Sequence, residues 1–374
     1  MARRGHGEGS IIRRKDGRYQ AAITLENHKR KYFYGKTRKE VQDKLKTALY
    51  EQQQGTLATG PQQLLKDYLE RWLEQVCKLT MRPNTYRQYY STVHHHLIPS
   101  LGHIRLQKLT TEKVQAFCAD MQNEGLSAKT IVNIHSVLSS ALENAVNWEI
   151  VGRNVAKRVM LPGIERYEAQ TLTVEQAKKL VEVAQGSRLE ALLLVALTTA
   201  MRRGELLALR WSDIDFEKGI VHVRRTMNHV KGLGYHEGEP KTRTGRRNIM
   251  LPEVAIEALK GHHMYQEQAR IKAGEKWQDR GIVFCNIYGS FFNPARVGDL
   301  FQGLLKKAGL PHMRFHDLRH SAATILLQAR VQLKTVQELL GHSTIATTAD
   351  IYSHVSSEMR EEVVNKMDDF FGHP

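Results

Sequence analysis

Alternating apolar and polar positions open the chain. Three such runs, Ser10–Arg13, Arg18–Leu25 and Lys31–Tyr34, predict β-strands, and the stretches between them contain the turn-forming residues Asp, Gly and Asn. Thr37 is the start signal of a helix that extends to about Gln54. This segment is therefore predicted to fold as a three-stranded sheet with one helix, whose apolar side consists of Val41, Leu45, Ala48 and Leu49.

A helical spacing of apolar residues follows the linker Gly55–Pro61, which is rich in Gly and Thr. Thr110 and Ser127 are N-cap signals for two of the helices. Four helices over about a hundred residues predict a helical domain. The aromatic residues in these helices fit a core, and the repeating apolar positions are Leu65, Leu69, Trp72, Leu73, Val76, Tyr86, Tyr89, Tyr90, Val93, Val114, Phe117, Cys118, Met121, Ile131, Ile134, Leu138 and Leu142.

The remainder of the chain alternates between helical and strand-like patterns after a second linker near Leu161–Gly163. Thr173 predicts the start of a helix, Leu189–Thr199 reads as a buried apolar helix, and two strand-like runs flank a Gly-rich insertion before helices return at Pro252. The predicted fold class is mixed α+β and mostly helical, with a small antiparallel sheet. The predicted domains are 1–58, 62–158 and 169–374, and the two strand-like runs are Ile220–Val223 and Asn248–Leu251.

The charge balance points to a polyanionic partner. Lys and Arg number 55 against 39 Asp and Glu, which gives a formal net charge of +16 in 374 residues. Residues 1–50 alone contain 14 Lys and Arg against 5 Asp and Glu, interleaved with the strand-like apolar positions. A solubilising tail or an RNA-binding protein would have the same excess, so charge does not separate DNA from RNA.

Cysteine and histidine usage predicts no metal site and no cofactor. Cys77, Cys118 and Cys285 are far apart and form no CxxC pair, so neither a zinc site nor a disulfide scaffold is indicated. His94–His96 are consecutive, and consecutive side chains of a helix point in different directions. With no signal peptide and no long apolar run, we expect a soluble intracellular protein, and in a bacterial cell that means the cytoplasm, with the nucleoid as the working place.

Five short motifs carry candidate chemistry. His316 and Arg319 lie three positions apart in Arg314–His320, a spacing that on a helix lets both meet one small anion. Each motif by itself has an ordinary explanation, such as a solvated helix face or a helix cap. Their joint occurrence supplies two arginines, two histidines, a lysine and a tyrosine. The other four motifs are Leu339–His342, Ala349–Ser353 with Tyr352, Thr198–Leu206 with Arg202, and Glu239–Arg243 with Lys241.

These motifs, in this order, resemble the signature of the tyrosine recombinases, especially the integrases of temperate phages and conjugative transposons. The resemblance covers nearly the whole chain. It implies an N-terminal arm-type DNA-binding domain, a helical core-binding (SAM-like) domain and a catalytic domain. It selects Arg202 rather than Arg203 because the family's arginine directly follows a small residue and Met, and the six catalytic residues that it implies are Arg202, Lys241, His316, Arg319, His342 and Tyr352.

The resemblance also implies a reaction, in which Tyr352 attacks a DNA phosphodiester and forms a 3′-phosphotyrosine without metal or ATP. Arg202 and Arg319 would neutralise the phosphate and His342 would hold one of its oxygens. His316 would act as base or hydrogen-bond partner of the tyrosine, Lys241 would be the general acid, and Glu205 would buttress the site. We expect DNA contacts from the N-terminal sheet and from one helix start, namely Arg13, Arg14, Lys15, Arg18, Lys31, Lys129 and Thr130.

Partners are implied in the same way. We expect core and arm sites on double-stranded DNA, a homotetramer on that DNA, and an excision factor or host DNA-bending protein. The tail, residues 356–374, has apolar residues at helical spacing and could pack on its own subunit or on a neighbour.

The alternative functions are a housekeeping chromosome-dimer resolvase or topoisomerase, a DNA-binding protein without activity, and a metal-dependent nuclease. The N-terminal module argues against the first, and the complete set of six against the second. The third lacks a cluster of metal ligands near the motifs.

Overall fold

The computed structural model describes residues 9–24, 30–53, 62–165, 170–230, 234–240, 243–342 and 344–345. The chain divides into two compact units, Met1–Arg166 and Tyr167–Pro374. The first unit contains two separate hydrophobic cores, one beneath the N-terminal sheet and one inside a group of helices. The boundaries 1–58, 62–158 and 169–374 stay a prediction.

The N-terminal sheet consists of β1 (Ser10–Arg13), β2 (Tyr19–Thr24) and β3 (Arg30–Gly35), antiparallel in that order. Helix α1 (Arg38–Gln53) follows it. Alternate residues of β2 point to opposite faces, so Ala21 and Ile23 are buried against α1. The strands and helix agree with the predicted module, and their shared core also contains Val41, Leu45 and Ala48.

The other core of the first unit is entirely helical. Tyr68 and Trp72 are fully buried in it, and the Tyr68 hydroxyl donates to the carbonyl of Ala141 at 2.6 Å. Two of the helices contain a widened π turn, at Leu73–Cys77 and Val93–Leu97. With these turns counted, the four predicted helices are present. The segments are α2 (Leu65–Trp72), α3 (Lys78–Thr80), α4 (Pro83–Thr92), α5 (Ile98–Leu101), α6 (Thr111–Asn123) and α7 (Ala128–Asn147), with 3₁₀ turns at Leu106–Lys108 and Val155–Arg158.

The second unit combines helices with two small antiparallel sheets. Helix α9 is buried on nearly every side, since it packs against α8, α11 and α13, which explains its almost wholly apolar sequence. Thr173 caps α8 with a capping box, as predicted. The helices are α8 (Val174–Ala184), α9 (Glu190–Thr199), α10 (Arg203–Leu206), α11 (Glu253–Ala273), α12 (Pro294–Lys307), α13 (Asp317–Gln328) and α14 (Leu333–Leu340).

The predicted Gly-rich insertion is a hairpin of its own. Strands β4 (Ile214–Asp215), β5 (Ile220–Val223) and β8 (Arg247–Met250) form one antiparallel sheet, in that order. Between β5 and β8 the chain forms β6 (Thr226–Val230) and β7 (Gly234–Gly238), which pair only with each other. The fold class is therefore confirmed: mostly helical, with a three-stranded N-terminal sheet and small antiparallel sheets.

The described thiols are free, and each is buried. Burial raises the pKa of Cys77 to about 11, so this thiol packs as an apolar side chain. None of the helices in the described part of the chain combines the length and apolar character that crossing a bilayer requires.

Candidate active site

The candidate site is centred on the C-terminal end of helix α14. The helix stops at Gly341, whose backbone is left-handed with φ of 62°. A Cβ atom there would lie 2.8 Å from the carbonyl oxygen of Thr244, so the close approach of the two segments requires glycine. The last carbonyls of a helix have no partner within it and carry partial negative charge. This helix end is therefore a suitable anchor for cationic side chains.

Three arginines from separate parts of the second unit bind successive carbonyls of this helix end. Arg247 Nε donates to Leu339 at 2.7 Å, Arg319 Nη2 donates to Leu340, and Arg202 Nη2 donates to Gly341 at 3.2 Å. The sequence separates these arginines by up to 117 positions. Two of them are the predicted Arg202 and Arg319, so the fold brings this predicted pair to one place.

Arg202 is held by the turn that follows α9. Ala200 adopts a left-handed conformation with φ of 50°, which ends the helix and directs the chain into α10. Arg202 then occupies the N-cap position of α10, and its side chain is about one-third exposed. Its neighbour Arg203 is exposed and reaches the carbonyl of Pro294 instead, at 3.4 Å. The two candidate arginines therefore point to different surroundings.

Glu205 lies behind this cluster and is only 2% exposed. Its Oε1 accepts from Arg202 Nη1 at 2.8 Å, and its Oε2 accepts from the Arg202 backbone N–H and from Arg247 Nη2, both at 3.0 Å. Burial alone would raise the pKa of this carboxyl, but Arg247 and Arg202 outweigh it and keep the pKa below its ordinary value. Glu205 is therefore a buried anion that fixes two guanidinium groups, as its predicted buttressing role requires.

Arg319 is the most deeply buried of the predicted cations. Its side chain extends from the first turn of α13, and Nη1 donates to the carbonyl of Ala200 at 2.7 Å. Burial, followed by the nearby charge of Arg202, lowers the pKa of Arg319 to about 9, so the guanidinium remains charged at neutral pH. Arg202 and Arg319 place two like charges close together, which favours an anionic ligand.

The predicted histidines adjoin the same arginines. Burial lowers the pKa of His342 to about 4, and the charges of Arg319 and Arg202 act in the same direction. His316 caps α13 and keeps contact with solvent, while partial burial, His320 and Arg319 lower its pKa to about 4. Both imidazoles are therefore neutral at neutral pH, a form in which each has one N–H donor and one nitrogen acceptor.

Two of the six predicted catalytic residues, Lys241 and Tyr352, lie outside the described residues, as does the tail 356–374. Their sequence neighbours on either side are informative. Lys241 follows strand β7 and precedes the turn Arg243–Gly245, whose Thr244 carbonyl approaches Gly341. Tyr352 comes ten positions after His342. The roles of both residues stay predictions.

The predicted DNA contacts of the N-terminal sheet divide into two groups. Arg14, Lys15 and Arg18 lie in or beside the exposed turn between β1 and β2, where Arg14 and Arg18 lie within 4 Å of Asp16. Arg13 and Lys31 belong by strand alternation to the face that packs on α1, at its rim, and lie 6.0 Å and 5.8 Å from the ring centres of Tyr19 and Phe33.

The face of this sheet opposite α1 was not considered in the sequence analysis. It exposes three large side chains, Ile12, Tyr32 and Tyr34, which are 53%, 45% and 47% exposed. The Arg14 guanidinium lies over the Tyr34 ring, 5.4 Å from its centre. The alternation of exposed tyrosines in β3 was the signal that could have identified this face.

Lys129 and Thr130 lie exposed in the first turn of α7, as predicted. Ser127 caps this helix, and its Oγ accepts from the Thr130 backbone N–H at 3.3 Å. A helix start with an exposed Lys suits a phosphate contact. Their role in DNA binding stays a prediction.

Sequence reasoning missed Arg247 and His320. The His320 ring packs edge-on against that of His316, with 5.6 Å between ring centres. It directly follows Arg319 as the last residue of the Arg314–His320 motif, and this place in the motif was the available signal. Arg247 had no such signal, because its contacts depend on the fold. Among the described residues, no group of three or more His, Cys, Asp or Glu is placed to hold a metal ion.

Comparisons with known proteins identify the family of this chain. Residues 170–359 match the phage integrase family, and residues 64–122 match the N-terminal SAM-like domain of phage integrases. A "Tyrosine recombinase XerC-like" protein of Caldanaerobacter subterraneus subsp. tengcongensis is 32% identical, over 94% of this chain and 96% of the relative.

Two solved structures have the same fold. The Tn1549 transposon integrase bound to transposon right end DNA matches with a TM-score of 0.68 at 21% identity, over 80% of this chain and 99% of the other. A lambda integrase tetramer bound to a Holliday junction matches with a TM-score of 0.58 at 20% identity, over 89% and 95%. The chain belongs to the phage integrase family, the tyrosine-type site-specific DNA recombinases.

Proposed function

We propose that the protein is an integrase that cuts and rejoins DNA through a 3′-phosphotyrosine at Tyr352, to integrate and excise a mobile element. The observation that carries the proposal is the convergence of Arg202 and Arg319 on the end of α14, directly beside His342. Within the described part of the chain, the carboxylate that binds this cationic pair is that of Glu205, which accepts from Arg202. A phosphodiester brought to these guanidinium groups would supply the missing negative charge.

The chemistry explains why two arginines are needed. Attack on a phosphodiester builds negative charge on the non-bridging oxygens, and fixed donors aimed at those oxygens lower the barrier. A guanidinium presents a planar fork that matches two oxygens, whereas an ammonium is a single point charge. The backbone and carboxylate contacts of Arg202 and Arg319 hold both forks in place before DNA binds. The site therefore needs little rearrangement when charge develops.

The neutral histidines fit the proton steps. The phenol of Tyr352 has an ordinary pKa of about 10, so its attack requires a proton acceptor or a nearby cation. Neutral His316 can accept that proton or a hydrogen bond, and neutral His342 can donate its N–H to a phosphate oxygen. Lys241 donates a proton to the departing 5′ oxygen. A bound phosphate raises the pKa of both histidines, which makes them better bases in the complex than in the DNA-free protein.

Covalent attachment allows rejoining without ATP. The phosphotyrosyl ester conserves the energy of the broken bond, and the 5′ hydroxyl of a partner strand reverses the step. Two sequential strand exchanges through a Holliday junction require four active sites, and the lambda integrase tetramer on such a junction supports this arrangement. We propose that the protein acts as a homotetramer on double-stranded DNA at the bacterial nucleoid. An excision factor or a host DNA-bending protein assists it.

The division of labour follows the predicted domains. Residues 1–58 bind arm sites, residues 62–158 bind the core site, and residues 169–374 cut. The exposed turn with Arg14, Lys15 and Arg18 gives the N-terminal sheet a basic edge, which supports binding to the DNA backbone. The complete set of six predicted catalytic residues argues against a protein that has kept only DNA binding.

The experiment is a suicide-substrate assay with a nick just downstream of the cleavage position. Cleavage then releases a short fragment that carries the free 5′ hydroxyl, and its diffusion away traps the covalent adduct. The wild-type protein, in EDTA and without ATP, is expected to form an SDS-stable adduct. Tyr352→Phe is expected to form none, because it lacks the nucleophilic oxygen. The matched control is Tyr265→Phe, at an exposed position of α11. Adducts in Tyr352→Phe would refute the proposed nucleophile, and their absence in the wild type would refute the proposed activity.

A further inference from the structure

Arg247 is a third arginine of the candidate site and is absent from the predicted set of six. It is the first residue of β8, and its side chain is only 8% exposed. A buried guanidinium is costly unless its donors are satisfied. The contacts of Arg247 therefore indicate what the fold gains from it.

Each nitrogen of the Arg247 guanidinium binds a different segment. Nε donates to the Leu339 carbonyl at 2.7 Å, Nη2 donates to Glu205 Oε2 at 3.0 Å, and Nη1 donates to the Gly245 carbonyl at 3.1 Å. One planar group thus connects the end of α14, the carboxylate behind Arg202, and the turn that precedes β8. A lysine ammonium at this position could not reach three acceptors in these directions with the same geometry.

The contacts of Arg247 are shared with those of Arg202. Both guanidinium groups bind the Glu205 carboxylate, and both bind carbonyls of the α14 end, two residues apart. Arg202 is therefore in place only where Glu205 and the α14 end are in place, and Arg247 fixes both. His342 directly follows Gly341, so its location depends on the same helix end.

We propose that Arg247 is a positioning residue for DNA cleavage, which sets Arg202 and His342 against the scissile phosphate through Glu205 and the end of α14. The proposal rests on the proposed function. Arg247 acts through its neighbours, since each of its three guanidinium nitrogens donates to a protein acceptor. Its loss should therefore affect the cleavage step more than DNA binding.

The test compares Arg247→Lys and Arg247→Met with the wild type in the full-length protein. Single-turnover adduct formation on a core-site suicide substrate at saturating protein measures the cleavage step, and a gel-shift titration measures the Kd. We expect cleavage to slow by about 100-fold in both variants while the Kd changes by less than about 3-fold. The matched control is Arg246→Met, because Arg246 is the adjacent cation, 60% exposed and paired with Glu239. It should cleave like the wild type.

A second substrate separates positioning from general loss of structure. A scissile methylphosphonate has a methyl group in place of one non-bridging oxygen and no net charge. If Arg247 sets the arginine that neutralises this charge, the defect of Arg247→Lys should shrink to less than about 10-fold on the neutral linkage. A misfolded variant would be equally impaired on both linkages. Arg247→Lys keeps a cation beside the buried Glu205 carboxylate, and the comparison of the two linkages uses this variant if Arg247→Met does not fold.

The outcomes distinguish this inference from the proposed function. If the wild type and Arg246→Met form adducts and both Arg247 variants cleave within about 3-fold of them, the positioning role is refuted and the proposed function stands. Equal impairment on both linkages, or a loss confined to the Kd, would also refute it. If the wild type forms no adduct, the proposed function fails and the role of Arg247 fails with it.

Discussion

Arg202 and Glu205 are joined twice, once through side chains at 2.8 Å and once from the Arg202 backbone N–H to the carboxylate at 3.0 Å. The two residues lie three positions apart on either side of the first turn of α10. Glu205 therefore fixes both the backbone of Arg202 and the orientation of its guanidinium group. This arrangement leaves the rest of its donors for the α14 end and for a ligand.

Replacing Glu205 by Gln should destabilise the protein and slow cleavage. The change removes the buried anion that two guanidinium groups share, and breaking a buried ion pair costs about 3–5 kcal/mol. We expect the free energy of unfolding from urea titration to fall by about this amount. The control Glu257→Gln, at an exposed ion pair with Lys260, should change it by less than about 0.5 kcal/mol. A Glu205→Gln protein as stable as the control would contradict the assigned contacts.

Arg202→Lys should lower the single-turnover cleavage rate by about 100-fold or more, because a lysine cannot provide the planar fork to the phosphate. The adjacent Arg203→Lys is the matched control. Its side chain is exposed and directed to Pro294, so cleavage should remain within about 3-fold of the wild type. If Arg203→Lys were the more impaired variant, the choice of Arg202 would be wrong.

Stability should fall as the pH falls from 7 to 5. Burial and the nearby arginines depress the folded-state pKa of His316 and His342 to about 4, whereas an unfolded His has a pKa of about 6.5. Between these values the unfolded chain binds more protons than the folded one, so the stabilisation is complete above about pH 6.5 and is lost as the pH drops through the window.

The measurement is urea unfolding at pH 7, 6 and 5. The double variant His316→Gln, His342→Gln should lose less stability over this range than the wild type, since two of the depressed groups are gone. His320 and His262, whose pKa burial also lowers, remain in both proteins. The exposed His312→Gln is the control and should follow the wild type. Identical pH dependence in the double variant and the wild type would contradict the lowered pKa of His316 and His342.

Local signals account for most of the fold that was predicted. The structure confirms two kinds of local signal, which depend on residues close in sequence. They are the alternation of apolar and polar residues in β2 and the helix N-caps Thr110, Ser127 and Thr173. The separate hairpin of β6 and β7 was not predicted, because a Gly-rich stretch indicates turns but not which strands pair. The π turns inside the helices also lack a sequence signal, since their residues fit an ordinary helix.

The site residues that belong to a sequence motif were predicted, and those that only the fold brings to the site were missed. Arg202, Arg319, His316 and His342 belong to distinctive local strings, and the structure brings them together. Arg247 is an ordinary strand residue by sequence, and only the packing of β8 beside α14 brings it to Glu205. Contacts between residues 42 and 92 positions apart leave no mark in the pattern of either segment.

Deleting residues 1–58 should abolish binding to arm sites and leave cleavage of a core-site suicide substrate. The sheet and α1 have a hydrophobic core of their own, so their removal leaves the helical core of the first unit complete. Gel shifts with arm-site and core-site DNA measure the two activities separately. The predicted division of labour would be wrong if the truncated protein could not cut core-site DNA at all.

The central claim is that a tyrosine oxygen becomes bonded to DNA beside two fixed arginines. The most direct measurement is to trap the adduct on a suicide substrate, digest it with nuclease and protease, and identify the modified peptide by mass spectrometry. The account predicts a nucleotide attached through its 3′ phosphate to Tyr352, and no such peptide from Arg202→Lys under the same short reaction time. A nucleotide on another residue, or a 5′-phosphate linkage, would contradict it.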